Sequence, residues 1–290
     1  MSWPVSCVKA QEPLANHTSF RIGGPAEWYA EVSTLEELLG LLRAAEAGGI
    51  PVSVIGGGTN LLVADRGVRG LVLRLGGDFR RVAVMSEDPS HVFVHCGPAV
   101  MTQQLVQMAG RRGWGGVEKM AGLPGQVGGA VIGNAQNIGG LVEHVDVVRP
   151  WGATQRLGKE RLPFRYRDSG IGQGIVVDVL LRFARAASAA LIQEALCYRN
   201  STQDLRLPSA GCAFKNPSDH SAGRLIDQAG LKGERIGDAQ VSSRHANFIV
   251  NLGHASCDDV LSLMEHIQRR VHAMFGVRLE PEVRILGERL

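Results

Sequence analysis

The chain has 290 residues, 44% of them hydrophobic and 20% charged, which fits a globular protein with room for two or three domains. Its net charge of +3 is scattered, so it offers no basic stripe for nucleic acid but suits an anionic ligand. The five cysteines are widely spaced and form neither a disulfide framework nor a zinc pattern. The N-terminus lacks a signal-peptide pattern, and no apolar run approaches the roughly 18 residues of a membrane span. A cytoplasmic protein is expected.

In chain order, Asn16 to Ala26 is a polar segment closing on a turn, and Trp28 to Val32 reads as a strand. Thr34 and Glu37 have capping-box spacing, and Gly48-Gly49 ends the helix between. The apolar run Pro51 to Ile55 reads as a short buried strand. A right-handed crossover with parallel strands is the default for such a unit. Gly56-Gly57-Gly58-Thr59-Asn60 follows, then Leu61-Leu62-Val63. Three consecutive glycines cost conformational entropy on folding and suit a backbone that turns sharply or approaches something closely. Bare N–H groups in such a turn make a concave anion site.

Gly70 to Leu75, Arg81 to Met85 and His91 to Cys96 are strand-like. His91 and His95 share a strand face but stand about 13 Å apart at roughly 3.3 Å per residue. They are read as sheet residues, and no metal site is expected. Thr102 to Gly110 reads as a helix. Ala121 to Ala130 then repeats the glycine-rich character, so two backbone cradles point to a ligand with two phosphates, although each alone could be only a tight turn. No Gly-x-Gly-x-x-Gly opens a helix in the first cradle, and no Gly-Lys-Ser/Thr follows either, which excludes a P-loop. A dinucleotide held this way points to a flavin-binding fold outside the Rossmann type. The candidate cofactor contacts are Ile55, Gly56, Gly57, Gly58, Thr59, Asn60 and Leu61, with Gly122, Pro124, Gly125, Val127, Gly128 and Gly129.

Val142 to Arg149 and Ile175 to Phe183 look like strands flanking a polar, cationic and aromatic insert, Leu162 to Ser169. A composition change at Ala184 to Ala190 begins a helix ending near Tyr198 and marks a domain boundary. Ser209 to Pro217 is the next site-like stretch. Ala222 to Ala229 forms a short helix stopped by Gly230, and Asn247 to Asn251 a strand. Ser256 caps a long helix that buries Val260, Leu263, Met264, Ile267, Val271 and Met274.

Five motifs occur in one order. They are Gly-Gly-Gly-Thr-Asn at 56–60, Pro-Gly-x-x-Gly-Gly at 124–129, Tyr166-Arg167-Asp168-Ser169, Gly211-Cys212-Ala213-Phe214-Lys215-Asn216-Pro217 and Glu280-Pro281-Glu282-Val283-Arg284. The series resembles the UDP-N-acetylenolpyruvoylglucosamine reductases (MurB) from about Asn16 to Gly287. The resemblance implies an α+β fold: an FAD-binding module of the vanillyl-alcohol oxidase (PCMH) type with two subdomains, plus a C-terminal α+β substrate-binding domain. The corresponding spans are 1–75, 76–186, 187–275 and a C-terminal segment 276–290. It implies FAD as cofactor, NADPH as co-substrate and UDP-N-acetylglucosamine enolpyruvate as substrate of a monomeric enzyme.

In such a reaction a hydride adds to the β-carbon of an unsaturated carboxylate, so negative charge builds on the α-carbon and carboxylate. A fixed cation or acid beside the carboxylate lowers that barrier, and a separate acid protonates the α-carbon. By the resemblance, Arg167 is the cation, Glu282 the acid and Cys212 the proton donor, in a position where many relatives have serine. Tyr166, Lys215, Asn216, His245 and Asn247 are implied substrate contacts, and Asn134 a further cofactor contact. Without the resemblance, Arg167 reads as a structural ion pair, Glu282 as a surface residue and Cys212 as a small buried hydrophobe. Asn134-Ala135-Gln136-Asn137-Ile138-Gly139 stands where the family has Asn-Ala-Gly-Ala-Tyr-Gly, so the family tyrosine is missing. Only 44 residues separate Arg167 from Cys212, which matches the shorter, type II form. The competing readings are an oxidase of the same fold acting on a hydroxy acid or sugar, and a flavin-free binding protein. Neither glycine stretch carries a histidine for covalent flavin attachment.

Overall fold

The computed structural model describes residues 3–150, 152–186, 189–203 and 206–288. The boundary expected between residues 186 and 187 falls partly outside them. Strands β1 (Val8–Pro13) and β2 (Pro25–Val32) come first. Helix α1 (Leu35–Ala47) starts where the Thr34 hydroxyl accepts from the Glu37 N–H at 3.2 Å. The Glu37 carboxylate reaches back to the Ser33 N–H at 2.7 Å, one residue earlier than a capping box predicts. Leu38, Leu41, Leu42 and Ala45 form the buried stripe of α1.

β3 (Val52–Ile55), β4 (Leu61–Val63) and β5 (Val68–Leu75) follow. β3 runs parallel to β5, and the strand order is β1-β2-β5-β3. The crossover through α1 therefore skips one strand position. β5, an almost continuous apolar run buried on both faces, takes the inner place.

A second sheet is built from β6 (Val82–Glu87), β7 (His91–Cys96), β8 (Trp114–Gly115), β9 (Val142–Val148), β10 (Thr154–Gly158) and β11 (Ile175–Arg185). Its order is β10-β9-β11-β7-β6, with β8 on the end of β11. Alternation sends Val92, Val94, Cys96, Val145, Val147, Val179, Leu181 and Phe183 into one core. Helices α2 (Thr102–Arg112) and α3 (Val127–Ile132) lie between β7 and β9 in sequence. α4 (Ala189–Thr202) has no buried residue among those described.

The third sheet has the order β12 (Ser209–Cys212), β15 (Phe248–Asn251), β14 (Ala239–Val241), β13 (Arg235–Ile236), and α5 (Ala222–Gln228) lies between β12 and β13 in sequence. Helix α6 (Cys257–Phe275) opens on a Ser256–Asp259 capping box. The Asp65 carboxylate also accepts from the N–H groups of Cys257 (2.8 Å) and Asp258 (3.2 Å). Val260, Leu263, Met264, Ile267 and Val271 are buried as expected, but Met274 is 53% exposed. A helix of this length spans about 28 Å, far beyond the short strands β13 and β14 beneath it, so its last turn has no sheet to cover it. β16 (Arg284–Leu286) pairs parallel with β4.

Contacts divide the chain into two units, each assembled from three segments. The first holds residues up to Lys9, Tyr29–Gly57 and Leu71–Arg199; the second holds Ala10–Trp28, Gly58–Gly70 and residues from Asn200 onward. In the first core Trp114 stacks on Phe183 at 5.4 Å. The second core gathers Phe20, Ile22 and Leu62 with Phe214, Ile249, Val260 and Ile267.

Candidate active site

In the first unit Gly56 and Gly57 meet the second glycine stretch. A Cβ at Gly57 would stand 3.0 Å from the Gly125 Cα, and one at Gly56 would be 3.4 Å from the Gln126 Oε1. The first is a backbone-to-backbone approach that only glycine allows without displacement. The second stretch is fastened from the start of α2. Thr102 Oγ1 donates to Leu123 O at 2.5 Å and Gly125 O at 3.2 Å. Gln103 donates to Met120 O and Leu123 O and accepts from the Gly122 N–H. The sequence marks Thr102 and Gln103 only as a helix start, and their clamping role becomes visible with the loop in place.

The N–H groups of Val127 and Gly128 are taken by Val100 O and Pro98 O, both at 2.9 Å. Among the expected contacts those two amides therefore hold the loop. Pro124 and Gly129 are exposed, Gly56 and Gly57 half-buried, and open space surrounds the Gly129 Cα. A cradle that a Cβ at Gly57 would crowd, with exposed backbone beside it, fits a dinucleotide cofactor. Ile55 is buried behind it.

Also in the first unit, Arg165 and Asp168 exchange backbone hydrogen bonds of 2.8 and 3.2 Å, so Tyr166 and Arg167 form the tip of a tight turn. Arg167 has φ 60°, a left-handed conformation that costs a non-glycine residue on the order of 1–3 kcal/mol and gathers at functional sites. Its guanidinium carbon lies 5.6 Å from the ring centre of Tyr166, which is 56% exposed. Asn134 Nδ2 donates to Arg165 O at 2.9 Å, and its Oδ1 accepts from the Gly139 N–H at 3.0 Å. Asn134 is thus tied to the protein on both sides of its amide and steadies the turn that presents Arg167. Ile138, in place of the family tyrosine, is 1% exposed and joins the core.

In the second unit, Gly58 has φ 66°, and a Cβ there would fall 2.0 Å from His17 O. Ser19 donates to Gly58 O through its N–H at 3.0 Å and its hydroxyl at 3.3 Å. Thr59 and Leu61 are half-buried and Asn60 exposed. Asn60 Nδ2 donates to Glu282 O at 3.2 Å, and Asn60 O accepts from the Arg284 N–H at 3.0 Å.

The Cys212 stretch and the Glu282 segment are zipped together. The Glu282 N–H donates to Ala213 O at 2.8 Å, Phe214 bridges Pro281, and the Lys215 N–H donates to Glu280 O at 2.9 Å. A bulge between Ser209 and Cys212, with Gly211 at φ 76°, re-aims Cys212 where β12 meets β15. Glu280 is 75% exposed at its side chain and pairs with Lys215 at 3.3 Å, whereas Glu282 is half-buried. Such an exposed pair contributes little, so Lys215 can leave it at small cost. Asn216 Oδ1 accepts from the Ala222 N–H at 3.0 Å.

Asn247 is 3% exposed, and its amide both accepts from the Phe214 N–H (3.0 Å) and donates to Phe214 O (2.8 Å). It pins the Cys212 strand and has its polar atoms committed there. His245 packs against Phe248 with ring centres 4.6 Å apart and planes tilted by 50°, and its buried Nδ1 has no hydrogen-bond partner among the described residues. Burial pushes its pKa below the usual imidazole range, leaving a neutral ring.

Two family models match: an FAD binding domain over residues 26–158, and the UDP-N-acetylenolpyruvoylglucosamine reductase C-terminal domain over residues 203–286. A reductase of that name from Symbiobacterium thermophilum is 47% identical across 97% of this chain and 92% of its own. One from Myxococcus xanthus is 43% identical across 97% and 93%. The crystal structure of the reductase from Thermus caldophilus superposes with a TM-score of 0.81 at 39% identity, covering 96% of this chain and 98% of that one. The 6-hydroxy-D-nicotine oxidase of Arthrobacter nicotinovorans shares the fold, with a TM-score of 0.51 at 16% identity over 97% of this chain and 63% of its own. The expected fold class, an α+β FAD-binding module with a C-terminal α+β domain, is the one found. With near-complete coverage at these identities and both domains in register, the chain belongs to the UDP-N-acetylenolpyruvoylglucosamine reductase family and carries its FAD-binding domain.

Proposed function

We propose that the chain reduces UDP-N-acetylglucosamine enolpyruvate to UDP-N-acetylmuramate with NADPH as hydride source, as a cytoplasmic monomer serving peptidoglycan precursor synthesis. The observation that carries the reading is the zipper between the Cys212 strand and the Glu282 segment, which brings two residues 70 positions apart into one local structure. No described helix is long and apolar enough to cross a bilayer. The spans 1–75 and 76–186 correspond to the two FAD subdomains, 187–275 to the substrate domain and 276–290 to the segment bearing Glu282.

Ile55–Leu61 and Gly122–Gly129 would hold FAD, which when bound would supply the hydride for the β-carbon of the enolpyruvyl group. Arg167 binds the substrate carboxylate in two-point fashion and keeps its charge as negative charge builds there. Glu282 acts on the same developing enolate. The Cys212 thiol gives its proton to the α-carbon and recovers one from water, completing a two-electron reduction. Lys215, with Asn216, meets the diphosphate or sugar, and the neutral His245 offers its unpaired Nδ1 to the substrate. Tyr166 shields the Arg167 guanidinium.

Stopped-flow measurement of the two half-reactions tests this. Arg167→Lys and Glu282→Gln should each slow flavin reoxidation by substrate on the order of 100- to 1000-fold and leave reduction by NADPH nearly untouched. Equal loss in both halves would assign them a structural role instead.

A further inference from the structure

The six-stranded sheet of the first unit has a polar face as well as an apolar one. Opposite the buried Val94, Val145 and Val179, three neighbouring strands present His95 (β7), His144 (β9) and Asp178 (β11). The register explains the convergence. Leu180 of the central strand stands level with both histidines, and Asp178 is one same-face step along β11. The histidines approach over β11 with ring centres 5.8 Å apart, edge to face. One candidate ligand atom from each of the three lies within 4.8 Å of the others. His95 Nδ1 and Asp178 Oδ2 are hydrogen-bonded.

A second observation is independent of that spacing. The His144 Nε2 is buried and has no hydrogen-bond partner among the described residues. Buried polar atoms are nearly always satisfied, so an orphan beside two other metal-ligating groups asks for a partner. Two acidic neighbours are engaged in ion pairs: Asp146 with Arg156 at 2.8 Å, and Glu143 with Arg182 at 3.1 Å.

We propose that His95, His144 and Asp178 form a binding site for a zinc-class divalent ion, which clips β7, β11 and β9 together. Two imidazoles and one carboxylate suit Zn²⁺ or a late first-row relative and do not suit Mg²⁺ or Ca²⁺, which prefer all-oxygen sites. Three protein ligands leave room for water at the remaining position. Burial, with the Arg156 charge, pushes His144 below the usual imidazole range, in keeping with the neutral ring that a ligand requires. The single-strand pair His91 and His95 stays too far apart for one ion. The partners of His95 come from strands about 50 and 80 residues downstream.

The test uses full-length, flavin-loaded protein in a Cys197→Ser background, which removes the exposed thiol as a competing ligand. After chelator treatment and dialysis, ZnCl₂ is titrated calorimetrically and thermal unfolding is followed with and without Zn²⁺. One saturable ion per chain and a zinc-dependent rise in Tm are expected. His144→Ala and Asp178→Asn should each weaken binding at least about tenfold and abolish the Tm rise, with flavin content and reductase turnover kept. Unchanged affinity in both variants, or no saturable binding, overturns the proposal. If either variant fails to fold, anomalous diffraction at the zinc edge from soaked wild-type crystals decides. A peak among the three side chains supports the site, and its absence there rejects it.

Discussion

Cys212 is where the proposed chemistry can be divided at a single atom. A thiol is a far stronger acid than a serine hydroxyl, so Cys212→Ser should turn over with an altered pH dependence. Cys212→Ala should stall after hydride transfer, and substrate should then exchange hydrogen at its β-carbon without net product. Wild-type turnover by the alanine variant would hand the proton to water or another residue. Alkylation offers a parallel readout if the cysteines are told apart. Cys197 is exposed and Cys212 half-buried, whereas burial pushes the Cys96 thiol up to about 12 and removes it from competition. His245 makes a second residue-level prediction. Its folded pKa is depressed, so below its ordinary value of about 6.5 the unfolded chain takes up a proton that the folded chain refuses. The unfolded state then binds more protons, and stability falls as pH drops from about 6.5 toward the depressed value. His245→Phe should flatten that part of a Tm-against-pH curve. His144, depressed in the same direction, should retain the remainder.

At the scale of elements, the glycine cradle leaves little room for change. Gly57→Val places a branched side chain against the Gly125 backbone, which cannot rotate away as a side chain can. We expect a folded protein without bound flavin, read from the visible absorbance and far-UV circular dichroism of the purified variant; full flavin occupancy would place the cofactor elsewhere. The same elements show what a linear reading captures. Local signals located α1, α2 and α6 to within a few residues: each buries one stripe and stops at a glycine, and α1 and α6 open on a side-chain cap. The motif order located the two cradles and the Cys212 and Glu282 stretches. Spacing could not show that the amides of Asn134 and Asn247 close onto backbone 31 and 33 residues away. Nor could it show that Val127 and Gly128 have their N–H groups occupied. Those facts depend on which loop lies against which strand. Met274 failed for a related reason: the stripe continues along the helix after the sheet beneath it has ended.

The whole molecule is drawn from interleaved segments, and this was the least legible part. Nothing in residues 10–28 or 58–70 signals that they share a unit with residues from 200 onward. Their links include the Ser19 hydroxyl on Ser209 O, the Asn251 amide on Phe20 O, a parallel strand pair, Leu61–Val63 with Arg284–Leu286, and an aspartate cap on α6 from Asp65. Parallel pairing at long separation carries a large loop-closure cost and no local sequence signature. A chain ending at Leu279 should therefore lose more than Glu282. Without β16, Leu62, fully buried in the intact protein, loses cover, and Asn60 loses both its partners in the terminal segment. We expect that truncation to lower Tm by several degrees and to weaken flavin retention, measured by thermal unfolding and by flavin release on gel filtration. Unaltered values in both would show that β16 serves catalysis alone.

The interleaving also sets a clock on biosynthesis. Ribosomes deliver the chain from its N-terminus, so the Gly58–Gly70 segment emerges more than 200 residues before the strand that pairs with it. During that interval the latter half of the first cradle has no native neighbour from the terminal segment. A stop codon close to the end of the message is accordingly expected to loosen the hold on flavin along with removing the last strand.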